Sequence, residues 1–335
     1  MDELKIIHGT MEIANQMYTI TKALQSQGVN AKSVNYYPSY LGYKSDYNLD
    51  LFSADNNTAD RLSKELAVKL INENNIFHFH FGTSLTINYS DLPLLKQLNK
   101  KMFMQHWGSD VRLYSVASKY NPYVKVKVTN EKEIINRLEF LGKSIDTCIV
   151  SDGELYEYVK DYYKNVYFIK QAINIQDYAI KSKKKDALCI VHAPTSPEIK
   201  GTDSVLKVID ELTNKYTFNF KLVQGMSHTQ AKKIYEEADI VIDQLRIGSY
   251  GLLAIEAMAM GKTVICYISD PMKDKYPKDL PIISANPDNL KDKLEYLIIN
   301  KDMLAKIGEN GRAFVEKHHD SNLIAKNLLK LYTGC

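Results

Sequence analysis

What this chain lacks bounds what it is. No apolar stretch approaches the ~20 residues needed to cross a bilayer. The four cysteines, at 148, 189, 266 and 335, are far apart and have no Cys-x-x-Cys spacing, so neither a disulfide framework nor a zinc knuckle is indicated. Cys148, Cys189 and Cys266 sit in strand-like runs and read as core fillers. Charge of one sign is scarce too: 43 Lys and Arg against 40 Asp and Glu leave only +3, too little to point to nucleic acid. The basic cluster from Lys181 to Lys185 reads as a solvated linker. A Walker loop, a Gly-x-Ser-x-Gly elbow and a dinucleotide-binding glycine fingerprint are all missing, so kinase, hydrolase and dehydrogenase readings lose support. The start, MDELKIIHG, enters a strand without the basic region and apolar core of a secretory signal. A cytoplasmic location is expected, with peripheral contact at the inner face of the membrane left open.

What is there is an alternation of strand-like and helix-like segments along 335 residues, too many for one core and enough for two α/β domains of roughly 150 residues. In the first half, strands are expected near residues 4–7, 31–36, 76–81, 101–106, 147–150 and 166–169, with helices between them. A polar, lysine-rich stretch interrupts the pattern, which then restarts with strands near 188–192, 218–223, 240–243, 263–268 and 281–284. The expected division is a first domain at 1–172, a linker at 173–186, a second domain at 187–317, and a helix at 318–335 returning to the first. Two Rossmann-like domains facing across a cleft is the economical architecture.

Ligands of such sheets bind beyond the carboxyl ends of the strands. Gly9 and Thr10 follow the first strand, Gly82 and Thr83 the third, and the run from His106 to Asp110 the fourth. In the second half the runs His192 to Gly201 and Gln244 to Gly251 hold the same position. Glu256 is the only charged residue in IGSYGLLAIEAMAMG, from Ile247 to Gly261. Burying an unpartnered carboxylate costs several kcal/mol, so this one is expected to face a cleft and accept hydrogen bonds from a ligand. The preceding Gly248, Ser249, Tyr250 and Gly251 lie where a helix start exposes unpaired N–H groups, a setting that suits phosphate or sugar hydroxyls. Lys200, before a helix start marked by Thr202 and Asp203, is placed to reach a phosphate. His106 is a candidate for holding a sugar hydroxyl or a reacting proton. His78 and His80 share one strand face at metal-ligand spacing, but no third ligand is evident, and a buried central strand explains the run FHFHFG.

These residues resemble the retaining glycosyltransferases of family 4 (group 1 type), which have the GT-B fold. The segment ADIVIDQLRIGSYGLLAIEAMAMGKTVICYI is similar to the donor-site signature of that family, and Glu256 matches its second glutamate. The resemblance implies that Glu256 holds the donor ribose and that Lys200, followed by Gly201, holds the diphosphate. VSDGELYEYV and IKQAINIQDY look like the end of the first domain and the entry to the second, and His106 falls where the family has a histidine near the transferred sugar. Two positions depart from the pattern. Gly248 replaces the first glutamate, and TSPEIK lacks the arginine that often accompanies the lysine.

The reading is therefore a hexosyltransferase that moves a sugar from a nucleoside-diphosphate donor to an acceptor with retention of configuration. Ser249, Tyr250, Gly251 and Leu252 would line the sugar and phosphates beside Lys200, Gly201 and Glu256. The acceptor, a carbohydrate, a lipid-linked glycan or a protein, would pass Gly9, Thr10, Asn15, His106 and Asp110. No cofactor and no metal is expected, since electrostatic stabilisation by the protein can serve in place of a divalent ion. With no carboxylate at Gly248, a front-face substitution fits better than double displacement. The competing classes are a nucleotide-sugar epimerase of the same fold, which would need acid–base carboxylates, and an inactive sugar-nucleotide-binding relative.

Overall fold

The structure, a computed structural model, describes residues 3–181 and 187–334. Cys335 and most of the basic linker cluster lie outside the described residues. In chain order the elements are β1 (Lys5–Thr10), α1 (Gln16–Ser26), β2 (Asn30–Asn35), β3 (Tyr47–Asn48), α2 (Asn56–Glu73), β4 (Ile76–His80), α3 (Asp91–Gln97) and β5 (Lys101–Gln105). Next come α4 (Tyr114–Ala117), α5 (Glu131–Ser144), β6 (Thr147–Val150), α6 (Gly153–Val159), β7 (Asn165–Phe168), β8 (Leu188–His192), α7 (Pro197–Lys200), α8 (Thr202–Thr213) and β9 (Phe218–Leu222). The chain continues through α9 (His228–Glu236), β10 (Ile240–Ile242), α10 (Leu252–Ala259), β11 (Thr263–Ile265), α11 (Asp270–Lys273), α12 (Leu290–Ile299), α13 (Leu304–His318) and α14 (Ser321–Thr333). No helix among the described residues is long and apolar enough to cross a membrane.

Two compact units result. The first comprises Met1–Leu113, Val128–Asn174 and Ser321–Cys335; the second comprises Tyr114–Lys127 and Ile175–Asp320. In the first unit a parallel seven-stranded sheet runs β3-β2-β1-β4-β5-β6-β7. β4, IFHFH, is buried at every position because it lies between β1 and β5 with both faces covered. Its core joins Ile6, Ile20, Leu24, Ile76 and Ile149 to Ile324, Ala325, Leu328 and Tyr332 of α14. In the second unit a parallel four-stranded sheet runs β11-β10-β8-β9 over a core that includes Ile190, Val205, Ile209, Ile240, Ile242, Leu290 and Leu294.

Local chemistry sets the element ends. Asp55 and Asp152 cap α2 and α6 by accepting two backbone N–H bonds each, and Ser227 with Gln230 forms a capping box on α9. Helix α1 starts only at Gln16, because Ala14 and Asn15 before it are left-handed (φ 52° and 62°). Its first amides are taken by the Glu12 carboxylate, which accepts from Met17 N–H and Tyr18 N–H at 3.0 Å each. The strand expected near 281–284 is reduced to one bridge between Ile265 and Ile283.

Candidate functional site

In the second sheet β8 lies between β9 and β10, so the order reverses there and the loops after β8 and β10 flank the switch point, the usual ligand crevice of an open α/β sheet. The loop after β8 is not an open turn into a helix, as its composition suggests. It contains the short α7, and Gly201, left-handed at φ 78°, ends α7 and begins α8. That arrangement turns Lys200 toward the β10 loop. Its ammonium donates to Asp243 Oδ1 (2.6 Å) and Gln244 Oε1 (2.9 Å). Asp243 follows directly on β10, is fully buried, and accepts the Gly251 N–H on Oδ2 at 2.9 Å. Gln244 Nε2 donates to the Ser249 carbonyl (2.5 Å). Lys200, Asp243, Gln244 and the 249–251 turn therefore form one hydrogen-bonded constellation.

Several sequence expectations change at this turn. The Gly251 N–H is not an open donor, because Asp243 holds it. Tyr250 points into the core, its hydroxyl 3.1 Å from His319 Nε2 and its ring tilted by 36° against that of Tyr276 with centroids 4.8 Å apart, so its side chain does not face a donor. Ser249 is likewise buried. What remains for a ligand is the start of α10, where Leu252 is the first helical residue and Gly251 supplies no capping side chain. The first-turn amides of a helix find no acceptor within it and carry the positive end of its dipole.

Glu256 lies one turn along α10 and is buried. The expectation that a ligand must supply its partners is corrected: the Tyr178 hydroxyl donates to Oε1 at 2.8 Å and His228 Nε2 donates to the same oxygen at 2.7 Å. Burial works against charge on His228, but the hydrogen bond to Glu256 and its negative charge outweigh that and raise the histidine pKa above the ordinary 6.5. Gly248 has φ 91°, and a Cβ there would stand 2.9 Å from both Cβ and Oγ of Ser269. The backbone that puts glycine here thus leaves no room for a glutamate. Arg246, from the β10 loop, packs against Gly201 and pairs with both carboxylate oxygens of Asp203 (3.0 and 2.7 Å). The sequence alone offers Gln244 and Arg246 only as part of the run from Gln244 to Gly251, and it does not single out Asp243, Tyr178 or His228. The one usable signal was an acid directly after the buried strand triplet IVI.

In the first unit β1 lies between β2 and β4, which puts the switch point at the ends of β1 and β4. Thr10 donates its N–H to Thr83 Oγ1 (3.2 Å) and its hydroxyl to the Ser84 carbonyl (3.1 Å), tying the two strand ends together. A Cβ at Gly9 would meet Val34 Cγ1 at 2.5 Å, so close strand contact accounts for this glycine. Asn15 sits at the α1 N-terminus with Nδ2 3.3 Å from Thr19 Oγ1.

His106 and Asp110 are brought together but turned inward. His106 is fully buried; Nδ1 donates to Asp110 Oδ2 (2.7 Å), and Nε2 lies 2.7 Å from the Tyr163 hydroxyl. Asp110 Oδ1 also accepts the N–H groups of Trp107 (3.0 Å) and Gly108 (2.9 Å). Burial opposes the charge on Asp110, yet His106 and these amides hold its pKa below the usual carboxylate value. These two residues brace the Trp107–Gly108 turn, and a direct sugar contact by His106 would require exchanging one of its two bonds.

The strand histidines have a third neighbour after all. His8 on β1 pairs in register with His78, and nitrogens of His8, His78 and His80 all lie within 4.8 Å of one another. Hydrogen bonding explains the cluster. Trp107 Nε1–H donates to His80 Nδ1 (3.1 Å), which places the His80 proton on Nε2, aimed at His8 Nδ1 (3.0 Å). The Tyr332 hydroxyl closes the chain, 2.5 Å from His78 Nδ1 and 3.4 Å from His8 Nε2. A shared cation would need a lone pair where His80 carries its proton, and a ligating histidine would turn an N–H rather than an acceptor toward the indole donor. Cys148, Cys189 and Cys266 are buried.

Residues 198–314 match the family model described as Glycosyl transferases group 1. An uncharacterized glycosyltransferase of Methanocaldococcus jannaschii is 29% identical over 133 residues, covering 36% of this chain and 38% of that protein. The chain thus aligns with well under half the length of that relative. Among solved structures, sucrose-phosphate synthase from Thermosynechococcus elongatus superposes with a TM-score of 0.73 at 14% identity over 98% of each chain. A glycosyltransferase from Rickettsia africae gives 0.66 at 14% identity, covering 100% of this chain and 99% of that one. Anabaena HepE in complex with UDP and glucose gives 0.64 at 9% identity, covering 99% and 100%. At these identities the likeness is one of fold, the α/β GT-B architecture of two Rossmann-like domains. The family match spans Lys200, Gly201, Asp243, the 249–252 turn and Glu256.

Proposed function

We propose that this protein is a retaining glycosyltransferase of the family 4 type, which takes a hexosyl group from a nucleoside-diphosphate sugar and delivers it to a carbohydrate, lipid-linked or protein acceptor in glycan or glycoconjugate biosynthesis, in the cytoplasm or at the inner membrane face. The observation that carries the reading is the Lys200–Asp243–Gly251 constellation at the switch point of the second sheet, inside the segment that matches the glycosyltransferase family. A solved protein of the same fold, Anabaena HepE, binds UDP and glucose.

In this scheme the diphosphate lies between the Lys200 ammonium and the first turn of α10, which together stabilise the charge that grows as the anomeric bond breaks. Asp243 fixes the ammonium and the Gly251 turn before the donor arrives, so little reorganisation is needed in the transition state. Glu256 holds the ribose. With Gly248 in place of a carboxylate, the acceptor oxygen attacks the face that the leaving group departs from, and the departing phosphate oxygen takes the acceptor proton. No metal is called for. Gly9, Thr10 and Asn15 border the acceptor, and His106 with Asp110 shapes that side through the Trp107–Gly108 turn.

The test is calorimetric titration of the native protein with UDP, GDP, ADP and their glucose conjugates, repeated on Lys200→Ala and Glu256→Ala. Micromolar binding of one nucleotide series by the native protein, weakened at least ten-fold in both variants while both remain folded, is the expected result. A native protein that binds none of them would overturn the proposal.

A further inference from the structure

Glu256 has two oxygens, and among the described residues both of its side-chain donors fall on one of them. The Tyr178 hydroxyl (2.8 Å) and His228 Nε2 (2.7 Å) converge on Oε1 from different elements. Tyr178 stands just beyond the short 3₁₀ turn Ile175–Asp177, and His228 is the first residue of α9. Each donor is itself held in place. The Tyr178 ring carries the Lys232 ammonium 4.2 Å from its centroid, and its carbonyl accepts from Arg312. His228 sits inside the turn closed by the Ser227–Gln230 capping box. An ionised carboxylate has about four acceptor positions, so two donors on one oxygen leave the second oxygen with its accepting capacity and a fixed direction.

We infer that Tyr178 and His228 are positioning residues that clamp Glu256 by Oε1 so that Oε2 is presented in a fixed orientation to the vicinal hydroxyls of a ribonucleoside diphosphate. The inference rests on the proposed donor site and adds to it the source of its sugar specificity. A cis-diol offers two donors to one carboxylate oxygen, whereas a 2′-deoxyribose offers one and leaves a buried lone pair unmet. Unpaired buried acceptors are what make such sites discriminate strongly. A carboxylate free to rotate would accept from either sugar equally well. Clamping is therefore a specificity device more than a source of affinity, and both residues act through Glu256 without touching the reacting atoms.

The experiment measures dissociation constants for the preferred nucleoside diphosphate among UDP, GDP and ADP and for its 2′-deoxy counterpart, with the native protein, Tyr178→Phe, His228→Ala and His228→Gln. The native protein is expected to prefer the ribonucleotide by ten-fold or more. Tyr178→Phe and His228→Ala should weaken ribonucleotide binding about ten-fold, the factor that one hydrogen bond to a charged group carries, and bring the ribose preference close to one. In His228→Gln the amide nitrogen can stand near the lost Nε2 and should restore most of the preference. A purely structural role would lower the melting temperature in all three variants and leave the ribose preference at its native value, which overturns the inference while the donor site stands. Absence of nucleotide binding by the native protein overturns the donor site and this inference with it.

Discussion

Lys200 and Asp243 are an ion pair whose acid is fully buried and whose base is largely so. Removing one member of such a pair leaves an uncompensated charge, which costs about 3–5 kcal/mol. Lys200→Ala should therefore lower stability by roughly 3 kcal/mol as well as weaken donor binding, and Asp243→Asn in the same chain should restore much of the stability without restoring binding. Denaturant melts beside calorimetry separate the two effects; recovery of both together would remove the phosphate role from Lys200. His228 provides a pH signature. Its folded pKa is raised above the ordinary 6.5, so the stability it contributes is complete below that value and is lost as pH rises through the folded pKa. Melting temperature followed from pH 5 to 9 should fall more in the native protein than in His228→Gln, and parallel profiles would show that the Glu256 pair does not titrate in this range.

Among the elements, α14 returns from the end of the chain to close the core of the first unit. Its Ile324, Ala325, Leu328 and Tyr332 share one core with Ile6 and Ile20, and the Lys101 ammonium donates to the Tyr332 carbonyl (2.8 Å). Leu328→Ala should cost about 2–5 kcal/mol, read as a shift in denaturant midpoint at constant slope. The loop between β10 and α10 makes the opposite demand, since it tolerates only the residue it has at Gly248. Gly248→Glu, which would recreate the missing signature carboxylate, should destabilise the second unit and abolish nucleotide binding, because the left-handed backbone and the 2.9 Å approach to Ser269 both forbid the side chain. Gain of activity in that variant, followed by sugar transfer in a coupled assay, would contradict this account of the turn.

For the whole molecule, the two units have separate sheets and separate cores, so a ligand held by the second should stabilise that unit first. At 100 times its dissociation constant a nucleotide adds about 2.7 kcal/mol to the state that binds it. Hydrogen exchange with saturating nucleotide should slow at residues 197–201 and 243–256 and leave β1 to β7 at their unliganded rates. Protection centred on the first sheet would move the donor site to the other unit.

Much of this was legible in the sequence because it depends on local periodicity. Buried parallel strands are short apolar runs and their helices are amphipathic, so the α/β alternation could be read without contacts. The strand ends, and with them Lys200, Gly201 and Glu256, followed from that alternation and from one acid in an apolar helix. Side-chain pairing could not be read this way. Asp243 is 43 residues from Lys200, His228 is 28 from Glu256 and Tyr178 is 78 from it; no spacing rule links residues that meet only because β8 and β10 are neighbours or because α9 starts beside α10. The same limit explains why the sequence alone presents the Gly251 N–H as open and Tyr250 as a ligand contact, and why it does not place His8 beside His78 and His80. The order of apolar and polar residues determined the elements, while the packing of distant strands and helices decided which polar groups are already satisfied and which are left to bind.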